Sequence, residues 1–297
     1  MKKKLINIAG IELKNPVMVA SGTFGYGKEF AEFVDLNKLG AIITKTISLK
    51  PKAGNPPPRM CETTAGMLNS IGLQNDGIDQ FIDKQLQFLA KLKIPAIVNI
   101  AGDTPEEFAE LARILSKEKT VKGLELNVSC PNVKKGGMLF GCSESGLEEV
   151  VRATKKKSKV PVIVKLSPNV TDIASLALIA EKSGADAISL INTLLGIAVD
   201  VRKKEFKLST KTGGLSGPAI KPVALRMVWQ VAKQEKIPVI GIGGITTAED
   251  VLEFLMVGAT AVQVGTVNFR NTSATAEIIK DLAQYDLGEY QSILQNS

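Results

Sequence analysis

Cys130 stands in the run Asn127-Val128-Ser129-Cys130-Pro131-Asn132, three residues beyond a stretch, Leu124-Glu125-Leu126-Asn127, that has the composition of a buried strand. The chain contains no histidine. That removes Ser-His-Asp and Cys-His catalysis and the usual histidine zinc sites, and leaves Cys, Lys, Asp, Glu and Tyr for proton transfer. A lone cysteine is ordinarily a small buried hydrophobe. On a polar loop running into Pro131 and Lys134-Lys135-Gly136-Gly137, in a chain without imidazole, Cys130 is instead the natural proton acceptor, provided its thiol is activated. Cys61 and Cys142 lack this setting and are given no role. Three irregularly spaced cysteines suit neither a disulfide framework nor an iron–sulfur cluster, which needs four thiolates, and no metal site is expected.

The elements that must position Cys130 follow from alternation along the chain. Eight short apolar runs read as strands: 17–20, 41–44, 96–99, 124–127, 162–165, 187–190, 239–242 and 261–264, separated by amphipathic helical stretches. The odd runs follow a proline (Pro16, Pro95, Pro161, Pro238) and the even ones a glycine (Gly40, Gly123, Gly184, Gly258). A twofold alternation suits a barrel, whose odd and even strands fill different interior layers, and eight strands close one. The expected fold is therefore α/β: a single (β/α)8 TIM barrel over residues 1–297, one domain, with long βα-loop insertions at its C-terminal face. Those insertions are 47–77, 128–146 and 194–217, against about 2–6 residues for an ordinary βα loop. Thr104-Pro105-Glu106-Glu107 reads as a capping box, Gly184 and Gly258 as helix C-terminal turns, and Leu5 to Leu13 as a hairpin turning at Ala9-Gly10 to close the barrel floor.

With the strands so placed, the first polar residues beyond them are Ser21, Lys45, Thr46, Asn99, Asn127, Lys165, Asn192, Thr193, Gly243, Gly244, Gly265 and Thr266. They make a ring of hydrogen-bonding groups around one mouth. Lysines at the ends of the second and fifth strands are costly to bury without an anion. The glycine turns after the seventh and eighth strands, joined by Gly217, suit a phosphorylated cofactor, because backbone N–H groups there approach phosphate oxygens closely. The net charge of +7 favours an anionic ligand, while the interleaving of Lys and Arg with Asp and Glu speaks against a nucleic-acid partner. No apolar run reaches the roughly 18 residues of a membrane helix, and no signal peptide is legible at Met1-Lys2-Lys3-Lys4, so a cytoplasmic protein with no membrane association is expected.

Asn127 to Asn132, together with Ser21-Gly22-Thr23-Phe24-Gly25, Thr44-Lys45-Thr46, Gly54-Asn55-Pro56-Pro57-Pro58-Arg59, Asn69 to Asn75, Asn99 to Gly102, Val164 to Asn169, Ile191-Asn192-Thr193 and Gly243-Gly244-Ile245, resembles the dihydroorotate dehydrogenase family over nearly the full chain. Within it the resemblance is to the catalytic subunit of the NAD-linked class (class 1B). It implies FMN, one per chain, held by Ser21, Lys45, Thr46, Asn99, Asn127, Lys165, Ile191, Gly217, Gly243, Gly244, Gly265 and Thr266. It implies that dihydroorotate is held by Lys45, Asn69, Ser70, Ile71, Gly72, Leu73, Asn127, Asn192 and Thr193. Cys130 would remove the C5 proton as hydride leaves C6 for the flavin, yielding orotate in pyrimidine biosynthesis, with Lys165 stabilising charge on the reduced flavin and the loop after the fourth strand excluding water. No Gly-x-Gly-x-x-Gly opens a helix after a strand, so the NAD step falls to a partner subunit carrying FAD and [2Fe–2S], in a heterotetramer of two of each subunit around a homodimer. Competing readings are a fumarate-dependent dihydroorotate dehydrogenase without a partner, another FMN barrel such as a tRNA dihydrouridine synthase, and a barrel used only for binding.

Overall fold

The computed structural model describes residues 5–129, 131–132, 138–290 and 293–296. Eight parallel strands close into a barrel: β1 (Val17–Val19), β2 (Ile42–Ile43), β3 (Ala96–Ile100), β4 (Val121–Asn127), β5 (Val162–Leu166), β6 (Ala187–Leu190), β7 (Val239–Ile242) and β8 (Ala261–Val264). Each pairs with its neighbours in sequence, and β8 returns to β1 through Val262 opposite Val17 and Val264 opposite Val19. All eight expected strands are present, within a few residues of the expected bounds. Prolines at the entries of the odd strands have no N–H to leave unpaired, and their carbonyls accept from the preceding strand around the barrel, as Pro16 does from Val262 and Pro238 from Ile188.

Helices Pro105–Leu115, Glu144–Lys157, Ile173–Lys182, Lys221–Ala232, Ala248–Met256 and Ala274–Leu282 follow β3 to β8 and bury their apolar faces against the outside of the barrel. A helical run from Gly77 to Leu89 follows β2. The first βα unit departs from the pattern: only the single turns Lys28–Phe30 and Leu36–Lys38 stand between β1 and β2. Gly184 and Gly258 end their helices at φ +102° and +104°, as their sequence context implies. The box expected at Thr104 is displaced by one residue. Thr104 Oγ1 accepts from Glu107 N, but the Glu107 carboxylate turns back to Asp103 N rather than to Thr104 N. A full box caps the helix Ala248–Met256 instead, from Thr247 and Asp250.

Inside the barrel, inward positions stack in layers. The lowest is apolar: Met18, Ile43, Ile97, Ile163, Ala187, Ile240 and Ala261 pack with Ile8, Ile11 and Leu13 of the hairpin Ile6–Ile8/Ile11–Leu13. That hairpin turns at Ala9 and Gly10, both at positive φ, and seals the floor as expected. Each isoleucine, leucine or methionine side chain buried there contributes about 1.5–3 kcal/mol. Gly123 does not precede β4 but lies within it. A Cβ there would stand 2.8 Å from Ile11 Cδ1, so the glycine admits the plug rather than starting a strand. Two residues further along β3, β4, β5, β6 and β8 the inward layer turns polar, at Asn99, Glu125, Lys165, Ser189 and Gln263.

At the other end, two of the long insertions pair with each other. Leu194–Ile197, Thr212–Ser216, Gly66–Asn69 and Met60–Thr63 form one antiparallel sheet in that order, which roofs the barrel mouth.

Candidate active site

Between floor and roof lies a cavity of about 680 Å3. Its base is organised by Glu125 on β4, which is fully buried. Oε1 of Glu125 accepts from Asn99 Nδ2 at 2.7 Å, and Oε2 accepts from Ser189 Oγ at 2.9 Å and from Gln263 Nε2 at 2.5 Å. Lys165 Nζ stands 3.9 Å from Oε1, its side chain 7% exposed. A buried pair of this kind persists because further donors satisfy the carboxylate; removing one partner typically costs about 3–5 kcal/mol. From Asn99 the bonding continues upward. Thr46 Oγ1 donates to Asn99 Oδ1 at 2.6 Å, and Ser21 Oγ lies 3.4 Å from Thr46 Oγ1.

The wall at the ends of β4 and β6 carries amides. Asn192 Nδ2 donates to Ser129 Oγ at 2.9 Å and to Asn127 Oδ1 at 3.3 Å, and Asn192 Oδ1 accepts from Thr193 N. The half-buried Lys45 lines the same space, and among the described residues its ammonium has no acceptor. Above it, Gly72 and Leu73 take φ of +74° and +56°, and this tight turn brings Asn69 to Leu73 over the cavity. Ser70 Oγ is buried there without a hydrogen-bond partner.

The far end is built of backbone. Gly217, Gly243 and Gly244 adopt φ of +96°, +132° and +74°, where a side chain is strained. A Cβ at Gly244 would also stand 2.7 Å from Lys221 Cβ. The turn after β7 is braced by Asp250, whose Oδ2 accepts from Thr246 N, Thr246 Oγ1 and Thr247 N at 2.7, 2.8 and 3.0 Å, while Oδ1 takes Lys221 Nζ at 2.5 Å. Burial alone would raise the Asp250 carboxyl, but these bonds outweigh it and hold it below the usual carboxylate range. Thr266 Oγ1 donates to Ser216 Oγ, tying the β8 turn to the roof.

The family model of dihydroorotate dehydrogenase matches residues 5–285. The chain belongs to the dihydroorotate dehydrogenase family. Curated relatives similar to it are named dihydroorotate dehydrogenase B (NAD(+)), catalytic subunit. That of Geobacter metallireducens is 60% identical over 280 residues, 94% of this chain and 92% of the relative. Those of Geotalea uraniireducens and Geobacter sulfurreducens are 59% and 58% identical over the same shares.

Of the residues expected to serve a dihydroorotate dehydrogenase site, Ser21, Lys45, Thr46, Asn127, Lys165, Ile191, Gly217, Gly243, Gly244, Gly265 and Thr266 line this cavity, as do Asn69, Ser70, Ile71, Gly72, Leu73, Asn192 and Thr193. Asn99 stands behind the wall, fully buried, and is bonded to the lining residue Thr46. Cys130 lies outside the described residues; its neighbour Ser129 lines the cavity. Cys61 and Cys142 are free thiols away from that lining, and burial pushes the Cys142 thiol up, which disfavours its thiolate. Sequence reasoning missed Glu125, Ser189 and Gln263 beneath the cavity, and Lys52, paired with Asp103 at 2.7 Å, at its rim. For Glu125 there was a usable signal: it shares a strand face with Asn127, two residues on.

Proposed function

We propose that this chain oxidises dihydroorotate to orotate on bound FMN, as the catalytic subunit of an NAD-linked enzyme of pyrimidine biosynthesis. What carries the reading is the convergence, in one cavity of a dihydroorotate dehydrogenase family member, of a half-buried lysine, a pair of asparagine amides and a glycine-built cradle.

The chemistry of these groups fits FMN. Positive-φ glycines at 217, 243 and 244, with Gly265 and Thr266, let backbone N–H groups close on a phosphate. Ser21, Thr46, Asn127 and Lys165, with Asn99 behind them and Ile191 beside them, offer donors and acceptors to a planar polar ring system. Lys45 serves both ring system and substrate. Asn127, Asn192 and Thr193 pair with the amide edge and carboxylate of dihydroorotate, and the unpartnered Ser70 hydroxyl on the turn from Asn69 to Leu73 supplies a further polar contact.

Orotate forms when dihydroorotate loses a proton from C5 and a hydride from C6. Bound FMN supplies the hydride acceptor. Cys130 takes the proton as a thiolate. The roof sheet and the turn over the cavity exclude water from this exchange. The electrons go to NAD through a second subunit that carries FAD and [2Fe–2S], two copies of each subunit assembling around a homodimer. The same reading takes residues 1–297 as one domain and the cytoplasm as the location. Among the described residues no helix is long and apolar enough to cross a membrane.

The deciding experiment is an anaerobic titration of the purified chain, loaded with FMN, against dihydroorotate. Stoichiometric loss of the visible flavin absorbance is expected. A flavin that stays oxidised, or a chain that takes up no FMN, overturns the reading.

A further inference from the structure

Glu125, beneath the cavity, touches four other strands. Asn99 reaches it from β3, Lys165 from β5, Ser189 from β6 and Gln263 from β8. A carboxylate only accepts hydrogen bonds, and it takes about four. Three neutral donors already point at it, with the Lys165 ammonium at 3.9 Å. Gln263 gives its amide nitrogen to Glu125 although its own Oε1 is then buried without a partner.

Two consequences follow from charge and from donor counting. First, the Lys165 cation does not act alone: a buried anion sits beneath it, where low dielectric makes charge felt at longer range. Second, Glu125 fixes the direction of the hydrogen bonds above it. Asn99 must turn Nδ2 down to the carboxylate and therefore Oδ1 up. Thr46 spends its only hydroxyl proton on that Oδ1 at 2.6 Å, so its oxygen meets the cavity as an acceptor. An oxygen or amide at position 125 that also donates would release this order.

We infer that Glu125 is a positioning residue that sets the charge and the hydrogen-bond polarity of the flavin-facing wall, and that it lowers the reduction potential of bound FMN by offsetting Lys165. This rests on the proposed flavin site. Glu125 touches neither substrate nor cofactor; it acts through Lys165, Asn99 and Thr46.

The test uses the FMN-loaded chain and its isosteric variant Glu125→Gln, which removes the charge and keeps the volume. The two-electron midpoint potential is read by spectroelectrochemistry, and FMN affinity by flavin fluorescence. The potential reports the ratio of affinities for reduced and oxidised FMN, which a uniform loosening of the site does not move. The expected change in that ratio is about tenfold in favour of reduced FMN, a rise of about 30 mV for a two-electron couple. A Glu125→Gln potential equal to or below that of the parent overturns the inference while leaving the flavin site standing. A parent chain that binds no FMN overturns the flavin reading and this inference with it. Should Glu125→Gln not fold, Ser189→Ala decides in its place: losing one donor leaves more of the anion uncompensated, so the potential falls, and an unchanged potential overturns the inference.

Discussion

In the proposed function the proton step rests on a single side chain. Cys130 follows Ser129, which lines the cavity, and in a chain without histidine it is the proton acceptor that the start of that loop offers. Cys130→Ser replaces a thiol by a far weaker acid. Stopped-flow reduction of the bound flavin by dihydroorotate is expected to slow by about 10²–10⁴-fold, with FMN binding unchanged; near-parent reduction would remove Cys130 as the base. The sequence singles this residue out by its type, its loop and the missing imidazole. It does not single out the Glu125 network. The partners of Glu125, Asn99, Ser189 and Gln263, stand 26, 64 and 138 positions away along the chain, and only closure of the barrel brings them together. Its shared strand face with Asn127 marks where Glu125 points, but nothing nearby in the chain marks the network it joins.

Among the elements, the barrel strands were readable for a physical reason. Strands of a parallel sheet are buried on both faces, so they appear as short apolar runs with abrupt ends. The roof sheet was opaque because its strands alternate in exposure and pair across long separations, as where Asn69 meets Gly214, 145 residues away. The missing first helix was equally silent, since its place is taken by single turns. The turn after β7 gives this scale its prediction. Asp250 holds that turn in shape from outside the cavity, so Asp250→Asn should loosen the phosphate cradle and spare the ring site. FMN affinity is expected to fall by about 10–100-fold, the worth of a charge-assisted hydrogen bond, while riboflavin, which lacks the phosphate, binds within about twofold of the parent. Equal losses for the two flavins would refute that division. Because the Asp250 carboxyl is depressed in the fold, its contribution is present above the ordinary carboxylate range and is lost only as pH falls through its lowered value. The cradle is thus insensitive to pH near neutrality.

For the whole molecule, alkaline pH acts elsewhere. Glu235, just past the helix Lys221–Ala232, has both carboxylate oxygens buried without a donor. Burial first, and the neighbouring Glu181 carboxylate second, push it up from 4.5 to about 8. A carboxyl raised in the folded state stabilises it fully below 4.5, and that contribution drains away as pH climbs to about 8. Glu235→Gln should therefore melt progressively higher than the parent as pH rises across this window, with the gain levelling off beyond it. A melting difference that does not vary between pH 5 and 9 would count against the assignment.

The sealed floor has a consequence for traffic. With Ile8, Ile11 and Leu13 filling the base of the barrel, the cavity has no way out through the floor. In the proposed arrangement the cofactor occupies the inner berth and the pyrimidine the outer one, beneath the roof. Arrival is then a queue: FMN enters before dihydroorotate and is trapped while orotate remains. Excess orotate should accordingly slow the escape of FMN, so that product inhibition and cofactor retention come from the same doorway.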